Sequence, residues 1–156
     1  MNMMNSAAAL REQGFLSALA SACQGVVVLV SDDPAIAAKL EPVCAFLELK
    51  TECVSSGQDL LTLLRAQQPI AVISDVEGDE QDGFHTMKVV ADYHRDLPVF
   101  MLTDGDPILA GATDAMQEVC GLTSVAQSSG APLAGELVGF LFGAGRRAGC
   151  MRLVPI

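Results

Sequence analysis

A chain of 156 residues with 51% hydrophobic content can bury a single-domain core, which excludes a disordered or low-complexity protein. Its formal charge of −10 repels phosphate backbones, so no nucleic-acid partner is expected, and the arginines Arg146, Arg147 and Arg152 are too few to reverse that. No apolar run approaches the length of a bilayer span, so no membrane partner is expected either.

Taken in chain order, Ser6–Ala22 carries Leu10, Phe15, Leu16 and Leu19 at near-helical spacing, which predicts an amphipathic helix outside the main domain. Within it, Gly14–Cys23 is apolar and rich in small residues. Glu12 offsets Arg11 and no basic stretch precedes it, so a secretory leader is not expected. The cysteines Cys23, Cys44, Cys53, Cys120 and Cys150 are an odd number without metal-ligand spacing. They read as reduced thiols of a cytoplasmic protein, with Cys44 and Cys53 in the core and Cys150 exposed.

From Gly25 the pattern alternates strand and helix. The β-branched run Val26–Val30 reads as a strand buried on both faces. Ser31, Asp32, Asp33 and Pro34 then form a helix start, and the helix is expected over Pro34–Leu49 with a kink or early break at Pro42. A short strand follows over Thr51–Val54, then a helix over Gly57–Gln67, and a third strand over Ile70–Ser74 ending at Asp75. A polar loop, Glu77–Gly83, leads to a helix over Phe84–Tyr93. The fourth strand is Pro98–Leu102, ending at Thr103, and a helix over Pro107–Cys120 comes next. A weak strand over Leu122–Ala126 and a last helix over Pro132–Phe142 complete the pattern. His85 and His94 have no partner at ligand spacing and read as surface or packing residues.

Five strands alternating with five helices predict an α/β fold, a doubly wound parallel sheet with helices on both faces. The expected organisation is an N-terminal helical extension over 1–24, the α/β domain over 25–142, and a Gly- and Arg-containing tail over 143–156. In such folds, chemistry sits at the carboxyl ends of the strands beside the topological switch point. That rule selects Asp32, Asp33, Asp75 and Thr103. Asp32 and Asp33 also suit a helix N-cap, where their carboxylates would complement the helix dipole. Converging carboxylates offer hard oxygen ligands to Mg²⁺, and the backbone carbonyl of Glu77 can turn toward the same cation. A metal, a carboxylate nucleophile and a hydroxyl donor are the parts needed to place a phosphoryl group on an aspartate.

Three stretches, in this order and spacing, resemble the response-regulator receiver family over Gly25–Phe142. They are VVVLVSDDP at the first strand, AVISD followed by Asp82-Gly83, and LPVFMLTDGD at the fourth strand. The resemblance implies a flavodoxin-like receiver fold and a phosphorelay role. Asp75 would be the phospho-acceptor and Thr103 the hydroxyl that contacts the phosphoryl group and rotates inward. Asp32, Asp75 and the Glu77 carbonyl would bind Mg²⁺, with Asp33 as a further candidate. A histidine kinase or phosphotransfer protein would supply the phosphoryl group. The chain would not be an enzyme beyond its own aspartyl phosphorylation and dephosphorylation.

Several positions depart from the family. Ser31 stands where the first acid of the pair is usual, and Val125 where a Tyr or Phe is usual. Asp104 replaces a small residue, and the fifth strand lacks the Lys-Pro that normally follows it, since no Lys lies beyond Gly121. Without that positive charge the switch is expected to be degenerate. Too few residues follow Phe142 for a helix-turn-helix or catalytic module, so a single-domain receiver acting through protein contact is expected. Leu133, Leu137, Val138, Phe140, Leu141 and Phe142 suggest a partner or homodimer surface across Ala110–Phe142. Two other readings remain open: a phosphorylation-independent pseudo-receiver or dimerisation module, and a Mg²⁺-dependent phosphohydrolase.

Overall fold

The computed structural model describes residues 24–55, 59–76 and 82–150. The amphipathic segment Ser6–Ala22, Cys23, Glu77 and Arg152 therefore lie outside the described residues. Five strands, β1 (Val26–Val30), β2 (Lys50–Val54), β3 (Ala71–Asp75), β4 (Val99–Leu102) and β5 (Val125–Gln127), form one parallel sheet in the order β2-β1-β3-β4-β5. Five helices connect or follow them: α1 (Pro34–Phe46), α2 (Leu60–Gln67), α3 (Asp82–Tyr93), α4 (Pro107–Cys120) and α5 (Leu133–Arg147).

The side-chain alternation of the strands sorts the core into two layers. Val27, Leu29, Ala71, Ile73, Phe100 and Leu102 face one way, against Leu40, Val43 and Cys44 of α1 and Leu137, Leu141 and Ala144 of α5. Val28, Val30, Val72, Val99 and Met101 face the other way, against Leu60 and Leu64 of α2 and Met87 and Val90 of α3. Both faces of the sheet are buried, which is why these strands read as continuous apolar runs.

Among the described residues, three helices carry an aspartate N-cap. Asp33, Asp59 and Asp106 each accept a backbone N–H from the first turn of α1, α2 and α4. Part of the acidic charge thus satisfies helix ends instead of facing a ligand. Hydrogen bonds from the Thr62 hydroxyl and backbone hold the Asp59 carboxyl below its usual range.

The structure corrects several expectations. Helix α1 runs uninterrupted across Pro42 and ends at Phe46, with no early break. Pro42 is exposed, so the carbonyl left without an N–H partner is on the side that water reaches. Helix α5 does not stop at Phe142 but continues to Arg147, so the expected tail begins in helix. Leu137, Leu141 and Ala144 keep its inner face buried into the last turns, and Gly149 at φ 77° ends it by closing Cys150 N–H onto the Gly145 carbonyl. The apolar side chains of α5 are mostly spent on the protein's own core: Leu137 and Leu141 are buried, while Leu133, Val138 and Phe140 pack against the α1 and α5 layer. The large apolar residues left exposed among the described residues are instead Phe46, Ile108 and Val119.

Cys53 is exposed, not in the core, because it lies on the edge strand β2. Its thiol is nonetheless pushed up by partial burial and by the charges of Glu41 and Glu52. Cys150 is half-buried against the α1 and α5 layer, contrary to the exposure expected of it. Cys44 is buried as expected, and burial raises its thiol. His85 and His94 are both exposed.

Candidate functional site

The sheet order puts β1 between β2 and β3, so the chain reverses direction of travel across the sheet at the β1/β3 boundary. This switch point leaves a crevice at the carboxyl ends of the strands. Val30 pairs with Ser74 and Asp75 with Leu102, which brings Ser31, Asp75 and Thr103 to the same end of three adjoining strands. A separate cavity of about 620 Å³ opens at the other end of the sheet, lined in part by Gly25, Pro69, Tyr93, His94 and Arg147. It holds none of the residues selected from the sequence, and the strand-end rule favours the carboxyl side.

Asp75 is half-buried at the last position of β3. The Ser31 hydroxyl lies 3.4 Å from its Oδ2 and accepts a hydrogen bond from the Asp33 N–H at 3.0 Å. A neutral donor thus lies beside Asp75, at a distance that makes the contact weak. Asp32 is exposed in the turn after β1. Asp33 is exposed as well, and its Oδ1 accepts the Ala35 N–H at 2.9 Å as the N-cap of α1. That carboxylate is thus already engaged in the cap. Among the described residues no three His, Cys, Asp or Glu side chains gather closely enough to hold a metal by themselves.

Thr103 is completely buried, and its hydroxyl points along the sheet toward β5. It lies 3.0 Å from the Ser128 carbonyl and 3.3 Å from Gln127 Oε1. Ser128, which directly follows β5, is also buried. Its hydroxyl accepts the Asp104 N–H at 2.7 Å, and its carbonyl accepts the Gly105 N–H at 3.1 Å. Two residues absent from the sequence-derived site, Gln127 and Ser128, therefore hold the Thr103 loop. The available signal was a polar pair ending an otherwise apolar strand, and it was obscured because β5 had been expected to stop at Ala126.

The loop after β4 turns through two left-handed residues, Asp104 at φ 53° and Gly105 at φ 74°. A Cβ on Gly105 would sit 3.0 Å from the Ser129 carbonyl oxygen, a backbone atom that cannot swing aside. Gly105→Ala is expected to destabilise the fold by about 1–3 kcal/mol, from positive-φ strain and the clash together. Urea denaturation checks this, and a loss below about 0.5 kcal/mol, the scatter of ordinary surface substitutions, would mean the loop yields.

No family model matches the chain. It is 28% identical over 82 residues to the response regulator MprA of Mycolicibacterium vanbaalenii, covering 53% of this chain and 36% of that protein. It is 30% identical over 80 residues to the DNA-binding transcriptional regulator NtrC of Salmonella typhimurium, covering 51% of this chain and 17% of that protein. The chain thus spans well under half the length of these relatives. Since NtrC is a DNA-binding regulator, the expectation of no nucleic-acid partner gains no support from the comparison. Among solved structures, the receiver domain of nitrogen regulatory protein C superposes with a TM-score of 0.64 at 27% identity, covering 79% of this chain and 95% of that one. The receiver domain of the Pseudomonas aeruginosa sensor histidine kinase PA1611, solved with magnesium in its active-site cleft, superposes at 0.60 with 18% identity, covering 81% and 98%. Sequence likeness over half the chain and structural likeness over nearly all of a solved receiver point the same way: the chain has the fold of the response-regulator receiver domains and is similar to them in sequence.

Proposed function

We propose that the domain accepts a phosphoryl group on Asp75 in a cytoplasmic phosphorelay and passes the signal on by protein–protein contact through a weakened switch. The observation that carries this reading is the half-buried carboxylate of Asp75 at the β1/β3 switch point, open enough for a donor and flanked by a hydroxyl. A carboxylate oxygen of Asp75 would attack the phosphorus of a phosphohistidine on a histidine kinase or phosphotransfer protein. The P–N bond breaks as the P–O bond forms, and the released imidazole nitrogen keeps the electron pair and takes a proton.

The donor set fits Mg²⁺, which usually takes one or two carboxylates and completes its shell with water, carbonyl and phosphoryl oxygens. Asp32 and Asp75 would supply the carboxylates and Glu77 its carbonyl, with Asp33 available only if it leaves the α1 cap. A bound Mg²⁺ would neutralise part of the charge that an incoming phosphoryl group adds to these acids. The outward contact surface is α4, where Ile108 and Val119 are 81% and 80% exposed, so a kinase, a downstream protein or a second copy would meet this helix more than α5.

The test is to incubate the protein with Mg²⁺ and acetyl phosphate and look for an acid-stable, base-labile adduct by intact mass and phosphate-affinity gel. An adduct present in the native chain and lost in Asp75→Asn supports the reading. No adduct on folded protein overturns it in favour of a pseudo-receiver whose contacts ignore phosphate. One observation favours that second reading: no Lys lies beyond Gly121, and Ser128, just after β5, is tied to the Asp104 backbone.

A further inference from the structure

The polar contacts of Thr103 do not stop at β5. Gln127, the last residue of that strand, places its Nε2 2.8 Å from Asp114 Oδ1 and 3.4 Å from the Ala110 carbonyl, both on α4. The orientation of this amide follows from chemistry. An ionised carboxylate and a carbonyl can only accept, so the amide nitrogen must face α4 and the amide oxygen must face the Thr103 hydroxyl, which can donate. A continuous path thus runs from the buried hydroxyl at the end of β4, through one side chain, to the second turn of α4.

The Thr103 hydroxyl has a single proton to share between Gln127 Oε1 at 3.3 Å and the Ser128 carbonyl at 3.0 Å. Were it drawn toward a group on Asp75, Gln127 would lose its donor at one end while still held to α4 at the other. An amide between two partners then has reason to shift, and the α4 groups it holds shift with it. Val125 in the same strand cannot provide such a link, because an aliphatic side chain makes no directional bond.

We propose that Gln127 is a positioning residue that couples the Thr103 hydroxyl to Ala110 and Asp114 of α4. It would make the exposed face of that helix responsive to the state of the strand-end site. The trigger rests on the proposed phosphorylation of Asp75, but the coupling itself is a property of the unphosphorylated protein and is tested there.

Amide hydrogen exchange over 108–116 is measured in the native chain, in Thr103→Val, in Gln127→Leu and in the double variant. The exchange of α2 serves as an internal reference for global stability. Each single change is expected to speed exchange in this part of α4 about five-fold, the effect of one net hydrogen bond, with α2 unchanged. The double variant should match Gln127→Leu alone, because the path is already cut, and Thr103→Ser should stay at the native rate because it keeps the hydroxyl. Asp114→Ala, on an exposed residue that cannot unfold the core, should reproduce the Gln127→Leu effect. Native exchange in Thr103→Val, or single effects that multiply in the double variant, would overturn the coupling. Failure of acetyl phosphate to label Asp75 would sink the phosphorelay reading while leaving this cycle to decide the coupling by itself.

Discussion

Phe100→Ala is expected to cost about 3–5 kcal/mol of unfolding free energy, the usual toll of removing a buried aromatic ring. The ring is 2% exposed at the centre of the sheet and meets the ring of Phe140 at 5.2 Å between centroids, tilted by 59°. This contact docks α5 onto β4 and is a favourable tilted geometry for an aromatic pair. The site has little means of collapse. Phe100 is paired with Ile73 of β3 on one side and Ala126 of β5 on the other, so the backbone is fixed by both neighbours. Ala126 is already small and leaves nothing to swing into the hole. Only six Phe, one Tyr and no Trp occur in the chain, which makes this pair a large share of its aromatic packing. Native domains hold about 5–15 kcal/mol in total, so the variant should populate unfolded chain at modest urea. Phe46→Ala provides the contrast, because that ring is 76% exposed and its loss should stay within about 0.5 kcal/mol. Urea midpoints for the two variants measure the difference. Equal midpoints would mean that α5 is not docked on β4 through this pair.

The elements that proved easiest to read from sequence were those whose local chemistry and tertiary role agree. The run Val26–Val30 is β-branched and buried on both faces, and α4 begins on Asp106-Pro107 and ends on Gly121 at φ 75°, so cap, proline and terminal glycine mark its limits without help from packing. The strand-end positions of Asp75 and Thr103 were legible for a related reason. Each closes an apolar strand, and the strand-end rule of doubly wound sheets needs no knowledge of register.

What stayed hidden depended on neighbours. That Cys53 faces solvent follows only from β2 being an edge strand, which no property of Thr51–Val54 reveals. That α5 runs past Phe142 follows from Leu141 and Ala144 finding the sheet beneath them, which outweighs the cost of the helix's glycines, about 0.5–1 kcal/mol for each one in a helix interior. The strand β5 is three residues long and bonded on one side only. Its alternation is too brief to place, and with it went the roles of Gln127 and Ser128.

Ser128→Lys is expected to raise the rate of Asp75 labelling by acetyl phosphate at saturating Mg²⁺ by about 10²-fold. That is the scale on which one preorganised electrostatic donor acts when charge develops beside it. The expectation rests on Asp75 being the acceptor. Ser128 directly follows β5, and its carbonyl already accepts the Thr103 hydroxyl, so a cation rooted there starts beside the group meant to face the phosphoryl oxygen. The change has a cost. The Ser128 hydroxyl now accepts the Asp104 N–H at 2.7 Å, and losing it should destabilise the fold by about 1 kcal/mol. A second obstacle is burial, since Ser128 is 3% exposed and the lysine stem must thread outward toward the crevice before its ammonium is solvated or paired. Ser128→Ala separates these effects, because it removes the same hydroxyl without adding charge. It should show the stability loss and no gain in labelling. If Ser128→Lys folds, shows the same loss as Ser128→Ala, and labels no faster than the native chain, then the missing cation is not what limits this site. The neutral Ser31 in place of an acid then becomes the position to change, and Ser31→Asp should act through tighter Mg²⁺ binding, seen as a lower metal concentration for half-maximal labelling.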